Sequence, residues 1–128
     1  MTNVNLEKTE HTPAIVLDAT AGTISITGDS YPEDSFEFYK KIIVWLKEYF
    51  QQPKDTTIIN IDLPYMNSSS LKVYFDIFDI FEKSALKGNS IKVNWIYLED
   101  NDIAQETGED FQLDFENLDI ILVSKEME

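Results

Sequence analysis

The sequence predicts an α/β fold: one sheet of about five strands, with helices packed mainly on one face. Three observations predict it. Two short alternating runs near the N-terminus are separated by a glycine turn. Three later runs rich in β-branched residues alternate with segments whose apolar residues recur at helical spacing. The 128 residues, 43% of them apolar, are enough for one ordinary core.

Met1 to Thr12 is polar and acidic and reads as a flexible leader, with the domain spanning residues 13–128. Ala14-Ile15-Val16-Leu17-Asp18 and Thr23-Ile24-Ser25-Ile26-Thr27 are two strands, joined by Ala19-Thr20-Ala21-Gly22 as a hairpin. Ser30 and Glu33 have capping-box spacing and Pro32 suits a first turn, so a helix is expected from about Asp34 to Tyr49. Phe36, Tyr39, Ile42, Ile43, Leu46, Tyr49 and Phe50 fall on one stripe of it, and Pro53 lies just past its end. A strand near Ile58 to Leu63 follows. A second helix from Ser70 to about Leu86 buries Leu71, Tyr74, Phe75, Phe78 and Phe81, with Val73, Ile77 and Ile80 widening the stripe. Lys87-Gly88-Asn89 stops it with a glycine cap. Ser90 to Leu98 is a strand, Ile103 to Thr107 a short helix, and Leu118 to Val123 the last strand. Strand–helix–strand units of this length imply parallel pairing with right-handed crossovers.

Charge narrows the function. Asp and Glu outnumber Lys by 24 to 10, giving a net charge of −14. A nucleic acid or an anionic membrane surface would be repelled, so neither is an expected partner. All ten basic residues are Lys, leaving no Arg fork for bidentate anion capture. The absence of Cys removes disulfides, thiol nucleophiles and Cys-ligated metals, which suits a reducing cytoplasm. The N-terminus shows no signal peptide, and no apolar run spans a bilayer.

Catalytic equipment is sparse, so the chain is read as non-enzymatic, with no cofactor and no metal site. The only imidazole is His11, and no phosphate-binding or dinucleotide glycine motif appears among the 4 Gly. One His without Cys argues against zinc. Asp100-Asn101-Asp102-Ile103-Ala104-Gln105 superficially resembles a calcium loop, but Ala104 stands at a ligand position and no Gly follows it. Asp62 and Glu33 are the carboxylates with a conceivable acid–base role. Asp62 alternates with apolar neighbours at a strand end, which equally describes a hydrogen-bonding group at the strand tip.

Asn67-Ser68-Ser69-Ser70 lies between the strand ending at Leu63 and the second helix. Hydroxyls there sit beside unpaired helix N–H groups at the positive end of the macrodipole. Two readings stand: a helix cap, or a site where a phosphoryl group is tolerated without unfolding the domain. Tyr31, Pro32 and Glu33 likewise have two readings, as a helix start and as a surface beside the serines that helps recognise a partner.

Gly28-Asp29-Ser30-Tyr31-Pro32-Glu33-Asp34-Ser35 before an aromatic-rich helix, and Tyr65-Met66-Asn67-Ser68-Ser69-Ser70 before Asp76-Ile77-Phe78-Asp79, together resemble the SiaC family of bacterial regulatory phosphoproteins. The resemblance runs from about Thr12 to Val123. The family is similar to STAS domains, the anti-sigma factor antagonists, which carry a phosphorylated Ser or Thr between a strand and a helix. The resemblance implies a STAS-like fold and a partner-switching role. A cognate protein kinase phosphorylates one junction hydroxyl, a PP2C-type phosphatase removes the phosphate, and the unphosphorylated form activates a diguanylate cyclase, raising cyclic-di-GMP and promoting aggregation or biofilm. By motif match the phosphoacceptor falls on Ser68, where the family has Thr, with Ser69 the runner-up. Tyr31, Pro32, Glu33, Tyr65, Asn67, Ser69 and Ser70 are the implied partner-binding neighbours. Rival readings are an anti-sigma factor antagonist that captures an anti-sigma kinase, and a small carboxylate-dependent enzyme.

Overall fold

The structure, a computed structural model, describes residues 1–126. The elements run β1 (Val4–Leu6), β2 (Ala14–Asp18), β3 (Thr23–Thr27), α1 (Ser35–Tyr49), β4 (Thr56–Asp62), α2 (Ser68–Leu86), β5 (Ser90–Leu98), α3 (Asp102–Asp114) and β6 (Asp119–Lys125). They form one six-stranded sheet whose spatial order is its chain order. β2 pairs antiparallel with β1 and β3, and β3 through β6 are parallel. Each parallel step crosses over through one helix and advances by one strand in the same direction. Right-handed crossovers then put all three helices on one face.

Period-2 alternation fills that face in rows. Leu17, Ile24, Ile59, Val93 and Ile120 stand in register across β2 to β6, and Ile15, Ile26, Ile61, Trp95 and Leu122 form the next row. Tyr39, Ile42 and Leu46 of α1 and Tyr74, Ile77, Phe78 and Phe81 of α2 are buried against them. Phe78 stacks on Phe111 of α3, with ring centroids 4.2 Å apart. On the open face Asn94 donates to the Asn60 side chain at 2.9 Å. Lys125 reaches over β5 to ion-pair with Asp62, so that carboxylate, buried at its strand tip, serves as a hydrogen-bond acceptor. α2 ends as expected in a Schellman turn: Gly88 at φ 96° donates to Ala85, and Asn89 donates to Ser84.

The structure corrects four local expectations. The sheet has six strands rather than five, because β1 forms within the segment read as leader. Trp45 Nε1 donates to the Thr2 backbone carbonyl at 2.9 Å and the Asn3 side-chain Oδ1 accepts from Ala19 N–H at 2.9 Å, so tertiary contacts hold what propensity does not announce. The cap of α1 is Asp34, whose side chain accepts from Glu37 N–H. The Ser30–Glu33 capping box therefore does not form, and Ser30 is buried beneath α2 instead. Phe36 is 66% exposed, while Trp45, outside the expected stripe, is buried. α3 runs to Asp114 rather than stopping at Thr107.

Candidate functional site at the serine junction

The exits of β3 and β4 continue as a short backbone ladder. Gly28 N–H donates to Asp62, Ser30 N–H to Tyr65, and Asn67 N–H to Ser30, at 2.9, 2.9 and 3.0 Å. This ladder carries Ser30 under the first turn of α2 and sets Tyr65 and Met66 at its approach. Tyr31 N–H is held by the His11 carbonyl at 2.8 Å. Its ring lies edge-on between His11 and Tyr65, at centroid distances of 5.0 and 5.8 Å.

Asn67, not a serine, caps α2: its Oδ1 accepts from Ser70 N–H at 2.9 Å. The three serines then have three different environments. Ser70 is buried, with its Oγ 2.8 Å from that of Ser30 and 3.0 Å from that of Ser35. Ser69 is exposed yet tethered, its hydroxyl donating to Asn67 Oδ1 at 3.2 Å and lying 2.9 Å from Ser35 Oγ. Ser68 is the first helical residue and exposed, and among the described residues no side chain bonds its hydroxyl.

Beneath them the network continues inward. Ser30 Oγ lies 2.7 Å from the Tyr39 hydroxyl, which accepts from Tyr74 at 2.9 Å. Six hydroxyls from α1, α2 and the β3 exit are thus chained together. Burial raises the Tyr39 phenol above its ordinary value, against the lowering pull of its bonds to Ser30 and Tyr74. Burial raises Tyr74 further, helped by the neighbouring Tyr39. Both stay neutral phenols wherever the chain is folded at moderate pH.

Of the residues singled out in the sequence, Tyr65, Asn67, Ser68, Ser69 and Ser70 share this junction, and Tyr31 joins it through Tyr65. Pro32 is half-buried and Glu33 is exposed in the turn before α1. Sequence reading missed Ser35, Tyr39 and Tyr74 as parts of the junction. Two tyrosines on facing buried stripes were the available signal, since a buried phenol needs a hydrogen-bond partner.

No group of three or more acidic or His side chains is placed to hold a metal ion among the described residues. No helix described is long and apolar enough to cross a membrane.

Residues 6–125 match the family model of SiaC family regulatory phosphoproteins. The chain belongs to the SiaC family. An uncharacterized protein from Pseudomonas aeruginosa (strain UCBPP-PA14) is 33% identical over 114 residues, covering 89% of this chain and 90% of its own length. Crystalline apo-SiaC from P. aeruginosa superposes with a TM-score of 0.86 at 29% identity, over 96% of this chain and 99% of that one. A chain in the crystal structure of the diguanylate cyclase SiaD with its activator SiaC, also from P. aeruginosa, gives 0.89 at 30% identity, over 95% and 99%. SiaC structures thus share this fold from end to end.

Proposed function

We propose that this SiaC-family chain is a non-enzymatic switch protein. Its unphosphorylated form binds and activates a diguanylate cyclase, and phosphorylation of Ser68 disengages it. A cognate protein kinase and a PP2C-type phosphatase set the balance, in the cytoplasm. The observation that carries the reading is the contrast among the three serines. Ser70 is locked in the buried network, Ser69 is tethered to Asn67 and Ser35, and Ser68 alone presents a free hydroxyl to solvent. The relative that forms a complex with a cyclase supports the choice of effector.

The chemistry fits. Phosphate adds about −1.5 to −2 charge at Ser68. The first-turn amides of α2, which no helical carbonyl can pair, face that charge, and the dipole contributes about 0.3–1 kcal/mol. The domain tolerates the modification. A partner surface fitted to a neutral hydroxyl instead meets a dianion it must desolvate.

Phosphopeptide mass spectrometry on the protein from its native cells, with and without phosphatase treatment, tests this. Phosphate on Ser68 is expected. A junction unmodified across growth conditions would return Ser68 to a helix start alone. Capture of a sigma-regulatory kinase, with no cyclase, would move the effector to the anti-sigma class.

A further inference from the structure

One wall of the serine junction is also the wall of a crevice. At the C-terminal ends of β4 and β5 a cleft of about 210 Å³ opens between α2 and α3. Its lining is mostly apolar: Leu63, Tyr65 and Met66 from the β4 exit, Leu71 from α2, Trp95 from β5 and Ile103 from α3. Leu71 lies three residues after Ser68, and residues at that spacing share a helix face. The cleft and the free hydroxyl therefore form one continuous surface.

Two of its walls are unusually wet for their chemistry. Tyr65 is 56% exposed and Ile103 is 78% exposed, although both present large apolar surfaces to the cleft. The far rim is charged. Glu99, Asp100, Asp102, Glu106, Glu109 and Asp110 are all exposed, and the stretch from 99 to 110 contains no Lys. Asp102 and Glu106, four apart on α3, flank the residues Ile103 and Thr107 that line the cleft.

We infer that this cleft, between the Ser68 turn of α2 and the acidic first turns of α3, is the socket for an apolar side chain that the cyclase presents on a basic segment. The inference rests on the cyclase reading of Ser68. The apolar floor takes the anchor, and the acidic rim takes the flanking Lys or Arg. The rim explains part of the −14 charge as recognition. It also gives the switch a mechanism. A phosphate on Ser68 stands on the apolar side of the socket, away from the basic flank of the occupant, where it must be desolvated without a cation to meet it.

The test is a titration of the purified diguanylate cyclase from the same cells with the full chain, by calorimetry at two salt concentrations. Ile103→Glu, which sets a charge in the wall that faces the anchor, is expected to weaken binding at least about tenfold. The Asp102→Asn, Glu106→Gln pair should weaken it several-fold and flatten its salt dependence. Val44→Glu, at a position 59% exposed on α1 and outside the cleft, should bind as wild type does. Both positions 103 and 44 are exposed, so circular dichroism should show each variant folded. Unchanged binding by Ile103→Glu overturns the socket while leaving the cyclase reading intact. Unchanged binding by Ser68→Asp, beside a loss with Ile103→Glu, sinks the switch and keeps the socket. A wild-type chain that does not bind the cyclase overturns both.

Discussion

The hydroxyls of Ser30 and Ser70, 40 residues apart in the chain, lie 2.8 Å from one another. That contact ties the exit of β3 to the first turn of α2. Together with Ser35 it makes the floor under Ser68 a set of satisfied buried groups. Among the described residues no buried side-chain nitrogen or oxygen lacks a partner. A modification at the surface therefore acts on a rigid support.

Ser30→Ala should be costly. It removes a partner from both Tyr39 and Ser70 in a fully buried setting, and about 1–3 kcal/mol of unfolding free energy is expected to be lost. Ser68→Ala, at an exposed hydroxyl with no side-chain partner among the described residues, should stay within about 0.5 kcal/mol of wild type. Urea denaturation of both variants side by side measures the contrast.

Asn67→Ala removes the cap of α2 and the acceptor for Ser69 together, and should cost about 1 kcal/mol in the same assay. Asn67→Asp, which keeps the accepting oxygen, should restore most of it.

Ser68→Asp should separate stability from binding. A carboxylate at the start of α2 gains about 0.3–1 kcal/mol from the helix N-terminus, so thermal unfolding should not fall. Affinity for the cyclase, measured by calorimetry, should drop at least about tenfold.

Alkaline pH should weaken the fold through the buried phenols. Tyr39 and Tyr74 both hold their protons above the ordinary value of 10.0 when folded. Between that value and the folded one, the unfolded chain has lost protons that the folded chain keeps. Stability is therefore full below about pH 10 and falls as pH rises further. Melts between about pH 8 and 11 should show a shallower decline for Tyr74→Phe than for wild type.

Gly108→Ala should destabilise α3 despite the better helix propensity of Ala. A Cβ there would stand 2.5 Å from Trp95 Cδ1 and 2.6 Å from Leu122 Cδ2, both part of the packed sheet face. A loss of about 1–3 kcal/mol is expected, readable by urea denaturation.

The sequence was informative where one element carries its own period. The isoleucine-rich strands and the aromatic stripes of α1 and α2 announce both type and buried face. It was silent where the signal comes from elsewhere in the chain. β1 offers only Val4-Asn5-Leu6, and its anchors at Ala19 and Trp45 are distant. The second half of α3 is polar apart from Phe111 and Leu113, and a single buried ring makes no stripe. Ser30 and Glu33 have the spacing of a capping box, yet the parallel ladder to Tyr65 and Asn67 claims the Ser30 backbone first. The junction serines could be found by position, but not sorted. What separates Ser68 from its neighbours is Ser35, more than thirty residues away, and spacing within the motif carries no trace of it.

A sheet whose spatial order repeats its chain order has a consequence for the nascent protein. Each new strand leaving the ribosome adds beside the one made just before it, and the intervening helix folds onto a surface already in place. After β1, no strand waits with both edges bare for a partner not yet synthesised, so the interval in which an apolar edge is open to other chains is short. The last strand of the sheet, β6, brings Lys125 to Asp62, so that carboxylate gains its counter-ion only when the sheet is complete.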